Sequence, residues 1–354
     1  MANKRQLTPR LNLNEPNIII DGGMEIWPEG TSRSIANNAQ AYGGCLFQCG
    51  NSATGVTLTN SQQASIPSGT NVPFSNQLSK TAAGSMAAGT YSVISYQVEG
   101  YDVNKLLNDE FSIIFWVKSS VASNRTLSLR NGSSSHSYLQ QYTISAANTW
   151  QLVALKVPAL STCPGTINKT NTPGLIISWS AVMAGTTYQT STLGSWVSGA
   201  FLSGVGEDTT WLTGTTHDFS IAGVMVLPGD WRSLSTNTSQ FRFLRSGRNF
   251  QEEVQKSYRY YQTNSHSAPQ AGNSSGVLGG IGRVGLPVDM RTIPTFLAYT
   301  GNGGTVNAAR NDNNGATEGA LIYGVSSNNI SIRSTSALSA GVSFSVFWTA
   351  DARF

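Results

Sequence analysis

Charged residues are scarce in this chain of 354 residues. Lys, Arg, Asp and Glu make up 11% of the sequence, against roughly a quarter of an average soluble protein. The net charge of +4 is small, and Lys4, Arg5 and Arg10 supply part of it. Because the remaining positive charges are scattered and not clustered on one element, a nucleic-acid partner is not expected.

Cysteines and long apolar runs are also few. Cys45, Cys49 and Cys163 cannot build a disulfide framework, and their spacing lacks the His or Cys pair of a metal site. No run of about twenty apolar residues is present, so membrane insertion is not expected, and no apolar leader follows Met1. We therefore expect synthesis in a cytoplasm, with the cysteines reduced.

Groups that could carry out catalysis are rare. The three histidines lie in Ser/Thr-rich contexts and outside any nucleophile-elbow, HExxH or Walker-type motif. Adjacent acidic residues point apart on a strand or a helix, so they form no ready acid/base pair. Such adjacent pairs occur at Asp109-Glu110, Glu207-Asp208 and Glu252-Glu253. The chain is predicted not to be an enzyme, although a polysaccharide depolymerase built from distant carboxylates stays an alternative.

What the sequence does contain is a series of short apolar segments between Gly, Asn and Ser clusters. In FSIIFWVK at 111–118, alternate residues share a face and both faces are largely apolar, which predicts a central strand covered on two sides. Similar strands are predicted at 91–98, 126–130, 138–144, 150–157, 175–180 and 219–226. Their turns are too short for helical crossovers, so the fold class is all-β, a β-sandwich.

The pattern also divides the chain. Residues 1–15 are polar and aperiodic, which favours an extended N-terminal arm. A β-sandwich domain at 16–263 closes with a short helix at about 249–261, where Phe250, Val254, Tyr258 and Tyr261 recur at helical spacing. A linker at 264–277 and a smaller C-terminal β domain at 278–354 follow, with strands at 295–300, 320–325, 330–334 and 342–350.

Aromatic side chains offer a binding function. Flat Trp and Tyr faces stack on sugar rings, while Asn, Gln and Ser supply hydrogen bonds. Trp211 and Trp231 stand near turn residues, so an exposed, carbohydrate-binding position is one interpretation. A place in the core or in a subunit contact is the other.

Several segments together resemble the jelly-roll tail-fibre and virion structural proteins of tailed bacteriophages. NIIIDGGMEIWPEGTS at 17–32 is similar to their opening strand and Gly-Thr-Ser turn. The other similar segments are 92–120 with its Phe-Trp-Val-Lys strand, 143–158, the Glu-rich helix with Arg-Tyr-Tyr at 251–262, and VFWTADARF at 346–354. The resemblance covers most of the chain and implies a virion component with a sugar-module fold, a jelly-roll β-sandwich at 16–263.

This resemblance implies partners and a location. The expected protein is a fibre, spike or decoration subunit of the virion, synthesised in the host bacterial cytoplasm. Lys4, Arg5, Pro9 and Arg10 of the arm would attach it to capsid, portal or tail proteins. Self-association as a homotrimer and binding to host surface polysaccharide are expected, and a stand-alone carbohydrate-binding module is the alternative.

The opening also resembles polysaccharide-binding jelly rolls that hold a structural calcium. Gly22-Gly23-Met24-Glu25 fits their motif, and the resemblance implies Glu25 as the metal ligand. The chain departs from them in the last strand, where Ile221-Ala222-Gly223 replaces acidic residues. Since calcium takes about six or more oxygen ligands, we expect no cofactor, with the metal site lost.

Overall fold

The computed structural model describes residues 17–182, 185–264, 270–271, 278–300, 304–337 and 343–354. Contacts divide the chain into a first unit, Met1–Glu253, and a second unit, Val254–Phe354. Among the described residues, no helix has both the length and the apolar character needed to cross a membrane. The predicted arm at 1–15, and with it Lys4, Arg5, Pro9 and Arg10, lies outside the described residues.

The first unit consists almost entirely of strands. In chain order they are β1 (Ser32–Ile35), β2 (Ala39–Tyr42), β3 (Phe47–Asn51), β4 (Leu58–Gln63), β5 (Ser75–Lys80), β6 (Ser92–Glu99), β7 (Phe111–Ser119), β8 (Ser123–Asn131), β9 (His136–Ile144), β10 (Gln151–Val157), β11 (Pro173–Val182), β12 (Gln189–Thr190), β13 (Trp196–Ser198), β14 (Ser203–Gly204) and β15 (His217–Pro228). One helical turn, α1, spans Thr210–Thr213, and the helix α2 spans Phe250–Tyr258. Short 3-10 turns lie at Asp102–Leu106, Leu160–Thr162, Thr186–Tyr188, Arg232–Ser235 and Thr238–Gln240.

Two antiparallel sheets form the sandwich of the first unit, and β12 and β14 pair in parallel as a small third sheet. Sheet one has the order β1-β4-β5-β15-β7-β10, and sheet two has the order β13-β9-β8-β11-β6-β3-β2. The chain crosses repeatedly between the sheets, because β6, β8 and β11 belong to sheet two whereas β7, β10 and β15 belong to sheet one. This arrangement confirms the predicted all-β jelly-roll sandwich, and each strongly apolar segment predicted from the sequence is a strand.

Large aromatic side chains fill the space between the sheets. Phe115 of β7 in sheet one contacts Trp179 of β11 in sheet two, with ring centroids 5.9 Å apart and planes at 80°. Trp179 also lies 6.2 Å from the ring of Phe47. All three side chains are fully buried, so this group joins the two sheets at the centre of the core.

The outer face of sheet one is also covered, as the apolar pattern of β7 predicted. Ile114 and Trp116 point away from the sandwich interior and pack in a second cluster with Met225, Trp231 and Phe241. The Trp116 and Phe241 rings lie 5.6 Å apart, nearly perpendicular. The segment 231–244 therefore shields this face from water.

Asn17 ties the start of the described chain to the last strand of the sandwich. Its side-chain amide donates hydrogen bonds to the backbone oxygens of Val224 at 2.9 Å and Leu244 at 3.0 Å. Its side-chain oxygen accepts from the backbone N–H groups of Ile19 at 3.0 Å and Val226 at 2.9 Å. Since Asn17 is 2% exposed, these bonds satisfy backbone groups that water cannot reach.

The second unit has its own strands and core. Its strands are β16 (Tyr261–Asn264), β17 (Gln270–Ala271), β18 (Leu278–Gly285), β19 (Thr295–Tyr299), β20 (Ala308–Asn311), β21 (Thr317–Val325), β22 (Asn329–Ala337), β23 (Ser343–Ser345) and β24 (Phe347–Asp351). They form the sheets β16-β24-β19 and β17-β23-β20-β21-β22-β18. Phe296 and Trp348 stack in its buried cluster with ring centroids 5.7 Å apart.

Two details differ from the sequence prediction. The second unit begins at Val254, earlier than the predicted end of the jelly roll at 263, because β16 pairs with β24 near the C-terminus. The helix is present, but Phe250 is 47% exposed whereas Glu253 is buried. The Glu253 carboxylate takes the buried position because it accepts the backbone N–H groups of Asp21 and Gly247, each at 2.6 Å. The predicted linker at 264–277 falls mostly outside the described residues.

Candidate functional site

An open cleft lies on the outer face of sheet two. Alternate residues of a strand point to opposite faces, so Ile94 and Tyr96 of β6 enter the core while Val93, Ser95 and Gln97 face outward. Val93, Ser95 and Gln97 all line the cleft. Because these side chains are apolar, hydroxyl and amide in turn, this face of the strand can make both apolar contacts and hydrogen bonds to a ligand.

The strand register places the outward residues in rows across the sheet. One row runs Arg130, Ile176 and Gln97, from β8 through β11 to β6. In the next row, Ser178 lies opposite Ser95, which in turn lies opposite Gln48. The Ser95 and Ser178 hydroxyls are 2.8 Å apart, and together they form a polar floor.

A chain segment covers part of this face and builds one wall. The hydroxyls of Ser128, Ser137 and Ser180 donate to the backbone oxygens of residues 201, 199 and 202 at 2.6, 2.5 and 3.0 Å. Serine suits these positions because its short side chain lets another backbone approach the sheet. The segment 185–204 therefore docks over β8, β9 and β11, and its Tyr188 and Leu202 also pack against Val93 of β6.

The cleft has a volume of about 290 Å³. Its lining combines amide, phenol and hydroxyl groups with one guanidinium group. The lining residues are Gln40, Gln48, Gly50, Tyr91, Val93, Ser95, Gln97, Arg130, Ile176, Tyr188 and Leu202. These described lining residues include no Asp, Glu, His, Cys or Lys, so they offer hydrogen bonds and apolar contact but no proton-transfer pair.

Two tyrosines form an aromatic corner of the cleft. Tyr91 precedes β6, and Tyr188 ends the 3-10 turn at Thr186–Tyr188 in the docked segment. Their ring centroids are 5.5 Å apart and their planes are perpendicular. Both rings are half-buried and pack against Val93 and Leu202. Such packing restricts the rings while part of each stays accessible to a ligand.

Arg130 places a cation in the same cleft. Its Nη2 donates to Ser178 Oγ at 3.3 Å, and its Nε is buried without a hydrogen-bond partner in the described part of the chain. Burial lowers the pKa of Arg130, with the nearby Tyr91 and Tyr188 acting in the opposite direction. An arginine remains charged at neutral pH in such surroundings, so the cleft carries positive charge.

The two tryptophans predicted to bind sugars are in the interior, and that prediction is wrong. Trp211 is 0% exposed, and its indole N–H donates to the backbone oxygen of Asp218 at 2.9 Å. Trp231 is 7% exposed and packs in the cluster on the outer face of sheet one. Nearby turn residues did not expose them, because segments distant in sequence cover both rings.

Glu25, which the resemblance implied as a calcium ligand, is engaged in an ion pair. Arg245 Nη2 donates to Glu25 Oε1 at 2.8 Å and Arg245 Nε donates to Oε2 at 2.9 Å. Over the residues that the structure describes, no group of three or more His, Cys, Asp or Glu side chains could hold a metal ion. The Arg245 guanidinium group thus binds both oxygens of the carboxylate that a calcium ion would need as a ligand.

A buried acid lies elsewhere in the first unit. Glu207 is 4% exposed and accepts a short hydrogen bond from the Thr126 hydroxyl. Burial raises the pKa of Glu207 to about 7, although the Thr126 hydrogen bond and the charge of Arg125 lower it. Arg125 is itself fully buried and donates to the backbone oxygen of Asp208 at 3.0 Å.

This buried acid predicts a pH dependence of stability. Because the folded-state pKa exceeds the ordinary value of 4.5, the folded protein keeps a proton that the unfolded chain releases. The contribution of this proton to the free energy of unfolding is fully present below pH 4.5. It is lost as the pH rises through about 7, by about 3 kcal/mol at most. We expect Glu207→Gln to flatten this decline in denaturant titrations between pH 4.5 and 8, whereas the exposed Glu110→Gln should leave it unchanged. A decline of the same slope in Glu207→Gln would contradict the assignment.

Comparison with known proteins gives structural likenesses only. No family model matches the chain, and no curated protein matches it. Similar solved structures include the enzymatically active domain of tailspike protein 4 of bacteriophage CBA120, with a TM-score of 0.32, 12% identity, and coverage of 60% of this chain and 21% of that one. The chain thus spans about a fifth of the length of that domain.

Carbohydrate-binding modules are also among the similar structures. A family 4 module has a TM-score of 0.28 and 11% identity, with 60% of this chain and 100% of the module covered. A family 11 module of the cellulase Lic26A-Cel5E of Clostridium thermocellum has a TM-score of 0.28 and 12% identity, with 58% and 94% covered.

Sequence reasoning did not find the cleft residues. The alternation in SVISYQVE at β6 does carry a signal, since it places small and amide side chains on one face of a strand whose other face is apolar. No comparable sequence pattern indicates that Tyr188 and Arg130 belong to a cleft. Tyr188 lies outside any strand pattern, and Arg130 is one of several arginines at the end of a strand.

Proposed function

We propose that this protein binds glycans in the cleft on the outer face of sheet two. The observation that carries the proposal is the combination of the Tyr91–Tyr188 corner with amide and guanidinium groups in one open cleft. Aromatic faces stack on the C–H faces of sugars, and amides and guanidinium groups bond to sugar oxygens. A cleft with few, convergent polar groups is the common form of a small-ligand site.

We propose that the protein binds and does not cleave its ligand. Glycoside hydrolysis usually needs two carboxyl groups about 5–10 Å apart across the scissile bond. The lining of the cleft supplies none, which supports a non-enzymatic role. Release of reducing sugar from a polysaccharide that the protein binds would contradict this and favour the depolymerase.

The proposed setting is the virion of a tailed phage, where the subunit would be a fibre, spike or decoration protein. The resemblance at the five segments from 17–32 to 346–354 supports this placement, as does the low-charge, Gly- and Ser-rich composition. Mass spectrometry of purified particles tests it, because the chain should copurify with capsid and tail proteins. If the chain were absent from particles, the alternative function, a stand-alone carbohydrate-binding module, would be favoured.

Self-association and attachment belong to the same proposal. A homotrimer, with residues 1–15 docked on capsid, portal or tail proteins, fits a fibre subunit. Analytical ultracentrifugation of the full chain should give the trimer mass. Removal of residues 1–15 should abolish incorporation into particles without changing glycan binding.

Replacing Tyr188 by alanine is expected to weaken glycan binding about tenfold, because a lost aromatic contact costs on the order of 1 kcal/mol beyond the buried area. Tyr188→Phe keeps the ring and should retain most of the affinity. Calorimetric titration with oligosaccharides from host surface polysaccharide measures the change.

Tyr101→Ala is the matched control for this experiment. Tyr101 is 56% exposed and lies outside the cleft lining, so its loss should leave affinity unchanged. Equal affinities for the wild type, Tyr188→Ala and Tyr101→Ala would show that the sugar binds elsewhere.

A further inference from the structure

The cleft carries a charge without a counter-charge. Among the lining residues that the structure describes, Arg130 is the only ionised side chain, and none is a carboxylate. Among the described residues, no ion pair joins Arg130 to an acidic group. Its one hydrogen bond in the described structure runs to a neutral acceptor, Ser178 Oγ, at 3.3 Å.

Several other arginines form ion pairs. Arg245 binds Glu25, Arg232 binds Asp230 and Arg353 binds Asp351, with N–O distances of 2.7, 2.6 and 2.6 Å. Arg232 keeps its carboxylate partner even though its side chain is 59% exposed. Arg130 differs from these three because it lies against the floor of a cleft with a neutral partner.

An unpaired guanidinium group in such a place is costly to the folded protein. Burying a charge without a hydrogen-bonded partner is unfavourable, and Arg130 Nε has lost contact with water without gaining an acceptor. A structural role would be served by a nearby carboxylate, as with Glu25 and Arg245. The open cleft instead leaves room for the partner to arrive with the ligand.

The register positions Arg130 to act together with other cleft residues. Arg130 and Gln97 flank Ile176 in one row across the sheet. Neighbouring strands are about 4.8 Å apart, so Arg130 and Gln97 lie two strand spacings, about 10 Å, apart across β11, a distance that an oligosaccharide can span. Arg130 also lies near the phenol groups of Tyr91 and Tyr188, which influence its pKa.

From these observations we infer that the cleft selects anionic glycans, with Arg130 binding an acidic group on the sugar. The inference rests on the proposed glycan-binding function and specifies its ligand class. The planar guanidinium fork matches the two oxygens of a carboxylate or of a sulfate or phosphate ester. Gln97 and the serine floor would then bind neutral hydroxyls of the same chain.

Calorimetric titration of the full-length protein tests the inference with three probes of equal length. These are a neutral hexose oligosaccharide, a hexuronate oligosaccharide and a sulfated hexose oligosaccharide. At least one anionic probe should bind about tenfold to a hundredfold more tightly than the neutral probe, as charge-assisted hydrogen bonds do. The probe that gains the affinity identifies the anion as a carboxylate or a sulfate ester.

Substitutions and added salt test whether Arg130 causes the preference for anionic probes. Arg130→Gln should bind all three probes with the affinity of the neutral one, and Arg130→Lys should retain only part of the preference. Arg242→Gln removes an exposed arginine outside the cleft and should bind like the wild type. In the wild type, raising the salt concentration should weaken the anionic probe more than the neutral one, a readout that does not depend on how any variant folds.

The outcomes separate the inference from the proposed function. Equal affinity for neutral and anionic probes, or an anionic preference that survives in Arg130→Gln with its fold intact, would overturn the inference and leave glycan binding in place. No binding of any of the three probes, followed by none across an array of host surface glycans, would overturn both.

Discussion

Replacing Trp179 by alanine is expected to lower the free energy of unfolding of the first unit by about 4 kcal/mol, within the range for large-to-small changes of buried aromatic residues. Trp179 is fully buried and contacts Phe115 in the opposite sheet and Phe47 in its own sheet. Alanine would leave a cavity where the sheets meet, and both phenyl rings would lose packing. Urea denaturation of the full chain, followed by circular dichroism, measures the change.

Two variants make this test specific. Trp179→Phe keeps a ring and removes an indole N–H that has no partner in the described structure, so it should cost much less than alanine. Trp150→Ala removes a partly buried tryptophan on the outer side of sheet one and should also cost less. If Trp179→Ala and Trp150→Ala were equally destabilising, Trp179 would not be central to the core.

Replacing Asn17 by alanine is expected to destabilise the first unit by about 4 kcal/mol, because four hydrogen bonds are lost at roughly 1 kcal/mol each. The substitution leaves the backbone oxygens of Val224 and Leu244 and the N–H groups of Ile19 and Val226 without their side-chain partner. These groups lie far apart in sequence, so the end of β15 and the segment near 244 should both loosen. Hydrogen exchange at the Val226 amide should accelerate together with the loss of stability.

Asn17→Asp distinguishes the donors from the acceptor. Aspartate can still accept from Ile19 and Val226 but cannot donate to the two carbonyl oxygens, and its charge would lie beside them. We therefore expect the Asn17→Asp variant to be no more stable than Asn17→Ala at neutral pH. Its stability should increase at acidic pH, where the new carboxyl group is protonated. Asn104→Ala, at an exposed amide that donates only locally to Tyr101, should change stability by less than about 0.5 kcal/mol. A loss in Asn17→Ala no greater than in Asn104→Ala would refute the bridging role.

The strands that could be predicted from sequence are those with an apolar inward face. In β7 and β15, alternation and β-branched or aromatic residues agree with the burial that the structure shows. The strands β4 (Leu58–Gln63) and β5 (Ser75–Lys80) were not predicted. Their buried positions include Asn60, Asn76 and Lys80, polar residues that periodicity arguments place on the surface.

Hydrogen bonding explains why these polar residues can be buried. The Asn60 amide donates to the Asn76 side-chain oxygen across the β4–β5 pair. Lys80 Nζ donates to the backbone oxygens of Ala82 at 2.9 Å and of Gly214. Asn76 lies on the neighbouring strand and Gly214 lies 134 positions from Lys80, so the sequence pattern carries no record of these two bonds.

The candidate site could not be found for the same reason. Trp211 and Trp231 have the residue type of a sugar-binding platform, but the fold buries them under other segments. Tyr91 and Tyr188 lie 97 positions apart in the sequence, and only the docking of 185–204 over sheet two brings their rings together. Glu25 matched a motif, yet its ion pair with Arg245 depends on a residue 220 positions away.

An all-β sandwich, a short helix near 250 and a β-rich C-terminal unit could all be predicted from the amino-acid sequence, because strand and helix periods are local properties of the chain. Which face of the sandwich is open depends instead on long-range packing. The outer face of sheet one is closed by 231–244, and that of sheet two is half covered by 185–204. Exposure of an aromatic or charged side chain depends on what packs over it, and that is settled by segments far away in the sequence.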